Sequence, residues 1–235
     1  SRYGLTPLAW SLDHPGPMVR TVEDCALVLN ALAGHDPKDP ASARVTVPDY
    51  TQALVPDVRG LRIGVPREYF EVPLDPEVEG AVRKAIATLE EMGAQVREVS
   101  WPMFHHAPAI STAIMFSEAS TCHAELVKRH GDKLYPQVRL RLESGLFISA
   151  SDYIKAQRAR ALFIRQTLEL LEQVDLLAGP QMAITAPRLL EREVQVRGRP
   201  VQVVPILTQY TRPFNITGFP AISVPCGFSS QGLPM

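Results

Sequence analysis

The sequence predicts an α/β domain with a mixed, largely parallel sheet flanked by helices, and three stretches carry that prediction. Leu61 to Pro66 (LRIGVP) is short and apolar enough to be a central strand. Asp75-Pro76-Glu77 then opens a helix, and Gln95 to Val99 follows as the next strand. Strand, helix, strand with short connections implies parallel pairing. Asp175 to Ala178 and Ala221 to Gly227 are further apolar runs bounded by Gly or Pro, each read as a strand.

The remaining elements follow from caps and periodicity. Thr21-Val22-Glu23-Asp24 has the spacing of a helix N-cap with an acid near its third position. Cys25 to Ala33 is apolar nearly all round, which predicts a buried helix ended at Gly34. Residues 35–61, rich in Pro, Asp and Ala, read as a surface connection with a short helix near Asp49 to Leu54. In the helix after Asp75, Val78, Val82, Ile86 and Leu89 form one apolar face and Gly93 ends it. Ala107 to His130 reads as one long helix, Tyr135 to Gly145 as a shorter basic one. A third is capped by Ser151 or Asp152 and runs to about Glu172. Arg188 to Gln202 suggests a hairpin turning at Arg197-Gly198-Arg199-Pro200, and Pro205 to Thr217 is helical in part.

No repeat or linker divides the chain, so residues 1–235 are expected to form one domain. Residues 229–235 read as a turn entering a strand that does not follow, so the domain is expected to be incomplete at both ends. Leu61 to Val65 and Ala221 to Gly227 would then be bare, apolar sheet edges, prone to homo-oligomerisation or other association.

The composition, 46% apolar and 21% charged, is that of an ordinary globular protein. A formal net charge of −1 argues against direct binding of nucleic acid, since no excess of Lys and Arg exists to neutralise phosphates. No apolar run approaches the roughly 18 residues of a membrane span, and no signal peptide is visible. Three widely spaced cysteines, Cys25, Cys122 and Cys226, suit a reducing cytosol and read as small buried hydrophobes, so a cytoplasmic location is expected. His105-His106 has no further ligand at metal-binding spacing, and no metal or other cofactor is expected.

Ser11-Leu12-Asp13 runs through His14 into Gly16-Pro17, a turn in which Asp13 is expected to accept backbone N–H groups two residues on. Arg20 follows, then the helix cap. The pattern S-x-D-x-x-G-P-x-x-R-[ST]-x-x-D-x-A, completed by A-G-x-D-x-x-D at Asp39, resembles the segment just downstream of the catalytic serines in the amidase signature family. Ile114 to Ala119 with His123 resembles the helix lining the acyl side of that family's cleft, and Asp152-Tyr153 through Arg160 the helix after it. Phe214 to Phe228 (FNITGFPAISVPCGF) is similar to the family's penultimate strand and lead-in loop.

The resemblance implies an amidase-signature fold and a cofactor-free cleavage of carboxamide C–N bonds. In that family a serine is activated through a second serine, itself deprotonated by a neutral lysine, and backbone N–H groups hold the oxyanion. This chain has no Gly-Gly-Ser-Ser-Gly-Gly-Ser string. Its paired serines, Ser229-Ser230, stand in a turn, and no lysine, Lys38 included, has an apolar context that would keep it neutral. No catalytic residue is therefore assigned, the nucleophile is expected upstream of Ser1, and the chain alone is expected to be inactive. Thr112 and Ala113 stand where glutamine-using members tend to carry an aromatic residue. Gln181-Met182 replaces the usual Thr-rich loop after Gly179-Pro180. Both departures favour a general amidase over the A subunit of a tRNA-dependent amidotransferase. A shortened, non-catalytic binding module is the reading from another class.

Arg160 is the most informative side chain. At 100° per residue from Asp152, Lys155, Arg158, Arg165, Gln166, Glu169 and Glu172 fall on one side of the helix; Tyr153, Ala156, Phe163, Ile164, Thr167 and Leu171 fall on the other, with Arg160 among them. A guanidinium taken out of water needs an anion or several acceptors. The resemblance implies a substrate α-carboxylate; an internal partner, Glu118 or Asp152, is the alternative. Thr217 and Gly218 stand before a strand where ligands approach in α/β folds, with turn formation as the alternative reading, and Met115 lies on the cleft helix that the resemblance implies; all three are assigned to substrate binding with Arg160. His123 falls on an apolar helix face as a satisfied core histidine, and Asp13 and Arg20 read as fixing the turn and the helix start.

Overall fold

A computed structural model describes residues 1–235. β1 (Arg62–Pro66) is the central strand of a three-stranded sheet, ordered β2-β1-β3, in which β2 (Gln95–Val99) and β3 (Leu176–Leu177) both run parallel to it. Ile63 faces Val96 on one side and Leu176 on the other, and is fully buried. The expected bare edge at Leu61 to Val65 is therefore corrected: this strand is paired on both sides. Arg62 fixes the register with Asp175, its guanidinium 2.6 Å from the carboxylate and its N–H donating across 2.8 Å.

α2 (Pro76–Glu91) connects β1 to β2. Asp75 caps it by accepting from Glu77 N (2.8 Å) and Val78 N (3.4 Å), and Val78 and Val82 are its buried face. Before the sheet, α1 (Val22–Leu32) starts at Thr21 as expected, with Oγ1 accepting from Asp24 N at 3.0 Å. The expectation that this helix is buried fails. Ala26 is its one buried residue, because α1 packs chiefly against the 3₁₀ turn Tyr50–Ala53 and nothing covers its outer sides.

The long helix expected from Ala107 to His130 is two helices, α3 (Ala107–Cys122) and α4 (Ala124–His130), broken at His123, whose backbone leaves helical geometry. The His123 ring bonds to Pro7 O (2.7 Å) instead of entering the core, so it is satisfied and half-buried. α5 (Pro136–Ser144) and α6 (Ala150–Leu171) follow. The cap of α6 is Ser149, neither Ser151 nor Asp152: its Oγ accepts from Asp152 N at 3.1 Å. The helical phase holds, with Ala156, Phe163, Thr167 and Leu170 buried. α6 packs on α3 and on a late helix, α8 (Arg212–Thr217), while α7 (Val203–Leu207) precedes it.

The hairpin forms as β4 (Glu193–Val196) and β5 (Arg199–Gln202), an antiparallel pair apart from the main sheet. Its turn is Arg197-Gly198, both at positive φ (52° and 73°). The expected strand from Ala221 to Gly227 pairs with no other strand. Ile222 and Val224 are exposed; the segment's backbone bonds are Cys226 N to Met235 O and Met235 N to Gly227 O, beside the Phe228–Pro234 bridge, while Cys226 packs on the core. The cysteines are also less buried than expected: Cys122 is exposed, Cys25 and Cys226 are half-buried.

The core sits between the sheet and α3, α6 and α8. Tyr69, Trp101, Phe104 and Tyr210 meet mainly edge to face at 5.0–6.4 Å, and Phe163 packs on Trp101 at 5.3 Å. The polar atoms of the two largest enclosed aromatic rings are answered: Tyr210 OH donates to Tyr69 O (2.7 Å), and Trp101 Nε1 to Thr167 Oγ1 (3.1 Å).

Candidate functional site

Three distant pieces of sequence meet around Arg160. α6 presents the guanidinium, α8 ends beside it, and the Ser11 segment crosses both. Nε donates to Ile216 O (2.7 Å), Nη2 to Ser11 O (2.8 Å) and Nη1 to Ser11 Oγ (2.9 Å). Ser11 relays the charge onward, because its hydroxyl donates to Glu118 Oε1 at 2.6 Å and its N–H to Oε2 at 2.9 Å. Tyr153 OH donates to the same carboxylate (3.2 Å), and Gln157 Nε2 to that hydroxyl (2.9 Å).

Glu118 is almost fully enclosed, so these bonds are what keeps its charge tolerable inside the protein. Burial pulls the Arg160 pKa down, and the charge of Glu118 opposes that pull. Of the two internal partners considered for Arg160, Glu118 answers it, through Ser11; Asp152 instead pairs with Lys155 (3.2 Å) and Ser149.

The clamp fixes the end of α8. Gly218 takes φ +75°, a left-handed conformation open to glycine at little cost, and stops the helix. Thr217 Oγ1 donates to Phe214 O and accepts from Phe219 N, both at 3.3 Å, so its hydroxyl shapes the turn. Gly218 is exposed beside it, and Met115 is half-buried on α3 against the core. Asn215 adds a second tether, donating to Leu12 O (2.9 Å). Arg160, Thr217 and Gly218 are thus one cluster with Ser11, whereas Met115 lies on the neighbouring helix.

Asp13 does not bond forward. Its carboxylate accepts from Leu8 N (2.9 Å) and Ala9 N (3.2 Å), because the residue two positions on is Pro15, which has no N–H to give. Arg20 is exposed and takes no part in the clamp. His105 pairs with Glu71 at 3.0 Å. Ser230 donates N–H and Oγ–H to Glu77 (2.7 and 2.6 Å), and the Lys38 ammonium lies 5.0 Å from the Tyr3 ring centre, so neither is placed for nucleophilic chemistry. Tyr153 and Asn215 lie in segments that carry the resemblance, but nothing in the spacing shows that their hydroxyl and amide join this clamp.

The Ser11-to-Asp39 pattern, the clamp beneath it and the parallel sheet define an amidase-type α/β domain. The amidase family model matches residues 1–235, and the chain belongs to that family. It is 44% identical over 232 residues to an amidase of Pseudomonas putida, covering 98% of this chain and 50% of that protein. It is 41% identical over 258 residues to the A subunit of the glutamyl-tRNA(Gln) amidotransferase of Moorella thermoacetica, covering 100% of this chain and 52% of that one. Among solved structures, the corresponding A subunit of Thermotoga maritima superposes with a TM-score of 0.80 at 31% identity, over 100% of this chain and 50% of that one. An inhibitor-bound chain from a vestigial protein complex, described as revealing the evolutionary origins of an s-triazine catabolic enzyme, gives 0.89 at 28% identity, over 97% and 50%. The chain spans about half the length of the relatives it matches. No helix is long and apolar enough to cross a membrane.

Proposed function

We propose that the chain is part of an amidase that cleaves small carboxamides by acyl transfer to a serine lying outside these 235 residues. The family match over the whole chain carries this reading. In it, the chain supplies the substrate side of the cleft: α3 with Met115 along the acyl group, and the Arg160–Ser11–Glu118 clamp holding Thr217-Gly218 in place. The serine pair, the lysine and the oxyanion donors come from elsewhere, so the isolated chain is inactive. No cofactor takes part, and the protein works in the cytoplasm. Identity to the Pseudomonas putida amidase and the small residues Thr112 and Ala113 support a general amidase.

The test is direct. The purified chain is expected to show no saturable hydrolysis of simple amides, since removing such a triad costs roughly 10⁶ in rate; saturable turnover that survives further purification overturns the reading. The alternative, the A subunit of an amidotransferase, is supported by the 41% identity to the Moorella protein. It predicts that Arg160→Met in a protein of full family length selectively weakens amides carrying an α-carboxylate. Association belongs to the same proposal: the 221–225 stretch, with Ile222 and Val224 exposed, is the edge through which a second chain would pair. Concentration-independent monomer mass by sedimentation would remove that part.

A further inference from the structure

The first turn of α8 carries a second half-buried guanidinium, Arg212, and its surroundings differ in kind from those of Arg160. Nε donates to Thr208 Oγ1 (2.9 Å). Nη1 is shared among Thr112 Oγ1 (3.0 Å), Ser111 Oγ (3.2 Å) and Pro108 O (3.3 Å). All four acceptors are neutral. Burial lowers the Arg212 pKa and no neighbouring carboxylate opposes it, whereas Glu118 does so at Arg160. A guanidinium withdrawn from water without a counter-charge is unfavourable, and an anion that reached it would be bound more tightly than by an exposed arginine.

Two donors beside that charge are unspent. Nη2, with two N–H groups, bonds to nothing in the chain, and it is not sealed from solvent, because Gln209 Nε2 is the one enclosed side-chain polar atom without a partner. The Thr112 hydroxyl accepts from Nη1 but has no acceptor for its own proton. Ser111 and Thr208 commit theirs to Pro108 O (3.2 Å) and Val204 O (3.1 Å). Nη2 shares the planar guanidinium with Nη1, and the Thr112 hydroxyl oxygen lies 3.0 Å from Nη1. That arrangement suits a planar anion with two oxygens and a single charge.

We propose that Arg212 and Thr112 form a binding site for a small carboxylate, one oxygen on Nη2 and the other on the Thr112 hydroxyl. The site stands independently of the reaction proposed above. Its reality is read in the 235-residue chain by nitrogen-15 NMR of the arginine side chains, with acetate as the probe and chloride holding the ionic strength constant. The Arg212 resonance, identified by its absence from Arg212→Lys, is expected to shift saturably with acetate while that of Arg160 stays still. Thr112→Val, which keeps the side-chain shape and removes the hydroxyl, is expected to weaken acetate about tenfold. A resonance that does not move by ~100 mM acetate, well above a millimolar dissociation constant, overturns the proposal. So does an unchanged affinity in Thr112→Val, or an Arg212 resonance that moves on dilution without acetate, which would assign the counter-ion to a carboxylate of a second chain.

Discussion

The centre and the margins of this chain are equally apolar in sequence and opposite in burial. At the centre, Phe163 on α6 is completely enclosed and Trp101 is 1% exposed. At the margins, Leu27 and Leu32 of α1 are 54% and 61% exposed, and Ile222 in the last extended segment is 65% exposed. The difference lies in what stands over each element. α6 has α3 on one side and α8 on another, whereas α1 has one 3₁₀ turn and residues 221–227 have no neighbouring strand. Hydrophobic stabilisation follows area removed from water, not apolar content. The same substitution should therefore have very different consequences in the two regions.

The largest contrast is Phe163→Ala against Leu27→Ala. Emptying the Phe163 site beside Trp101 should cost about 3–5 kcal/mol, because a close-packed core relaxes only in part around a cavity. Leu27→Ala, at a residue more than half in water, should stay within about 0.5 kcal/mol. Urea unfolding of the two variants checks this. Comparable losses would mean that α1 is covered in solution and that the comparison does not hold.

Arg160→Met comes next. The guanidinium is half-buried and serves three acceptors, and its removal strands Glu118 inside with Ser11 and Tyr153 alone to answer it. A loss of about 2–4 kcal/mol is expected, below the figure for a wholly buried pair because the arginine keeps some water. Ser11→Ala, which cuts the relay, should be strongly non-additive with it. If the two variants add independently, Ser11 does not transmit the charge and the clamp is two separate contacts.

How much of this is legible in the sequence depends on whether a feature is local. β1, α2 and β2 can be read to within a residue, since Asp75-Pro76 and Gly93 mark their own boundaries whatever packs above them. The phase of α6 places Arg160 on the inner side, and Glu118 is one of the partners that phase allows. Ser11 as the relay between them is not legible, because 107 residues separate it from Glu118 and 149 from Arg160. The break at His123 is hidden for a similar reason. Nothing nearby stops the helix; a carbonyl from Pro7, 116 residues away, takes the ring. Arg212 gives no signal at all, since a six-residue helix is too short for its phase to be read.

Acid should probe the centre through one enclosed carboxylate. Glu68 is 3% exposed. Burial pushes its pKa up, but bonds from Trp101 N and Ser100 Oγ, both 2.8 Å, outweigh that and leave it below the ordinary value. A folded-state pKa below the unfolded one gives stability that is present above the unfolded value, about 4.3, and lost as pH falls through the folded value. Glu68→Gln should therefore flatten the acid limb of the stability curve while lowering stability at neutral pH. An acid limb as steep as before would place the titrating carboxylate elsewhere.

The smallest effect sharpens the comparison most, because it sets the same bond in both regions. Thr21 caps α1 and Asp75 caps α2, each through a side-chain oxygen that accepts a backbone N–H. Losing such a cap costs about 1 kcal/mol of helix stability wherever it sits. α2 packs on the sheet through Val78 and Val82, so it unfolds with the whole chain, and Asp75→Ala should lower global stability by that amount. α1 packs chiefly on one short turn and can open by itself, so the same loss should fall on its local opening equilibrium. Thr21→Ala is thus expected to leave the urea midpoint nearly unchanged and to speed amide exchange by about fivefold between Cys25 and Leu29, where 1 kcal/mol appears as a population ratio. Equal midpoint shifts for the two caps would show that α1 unfolds with the core, and that exposure alone does not make an element independent.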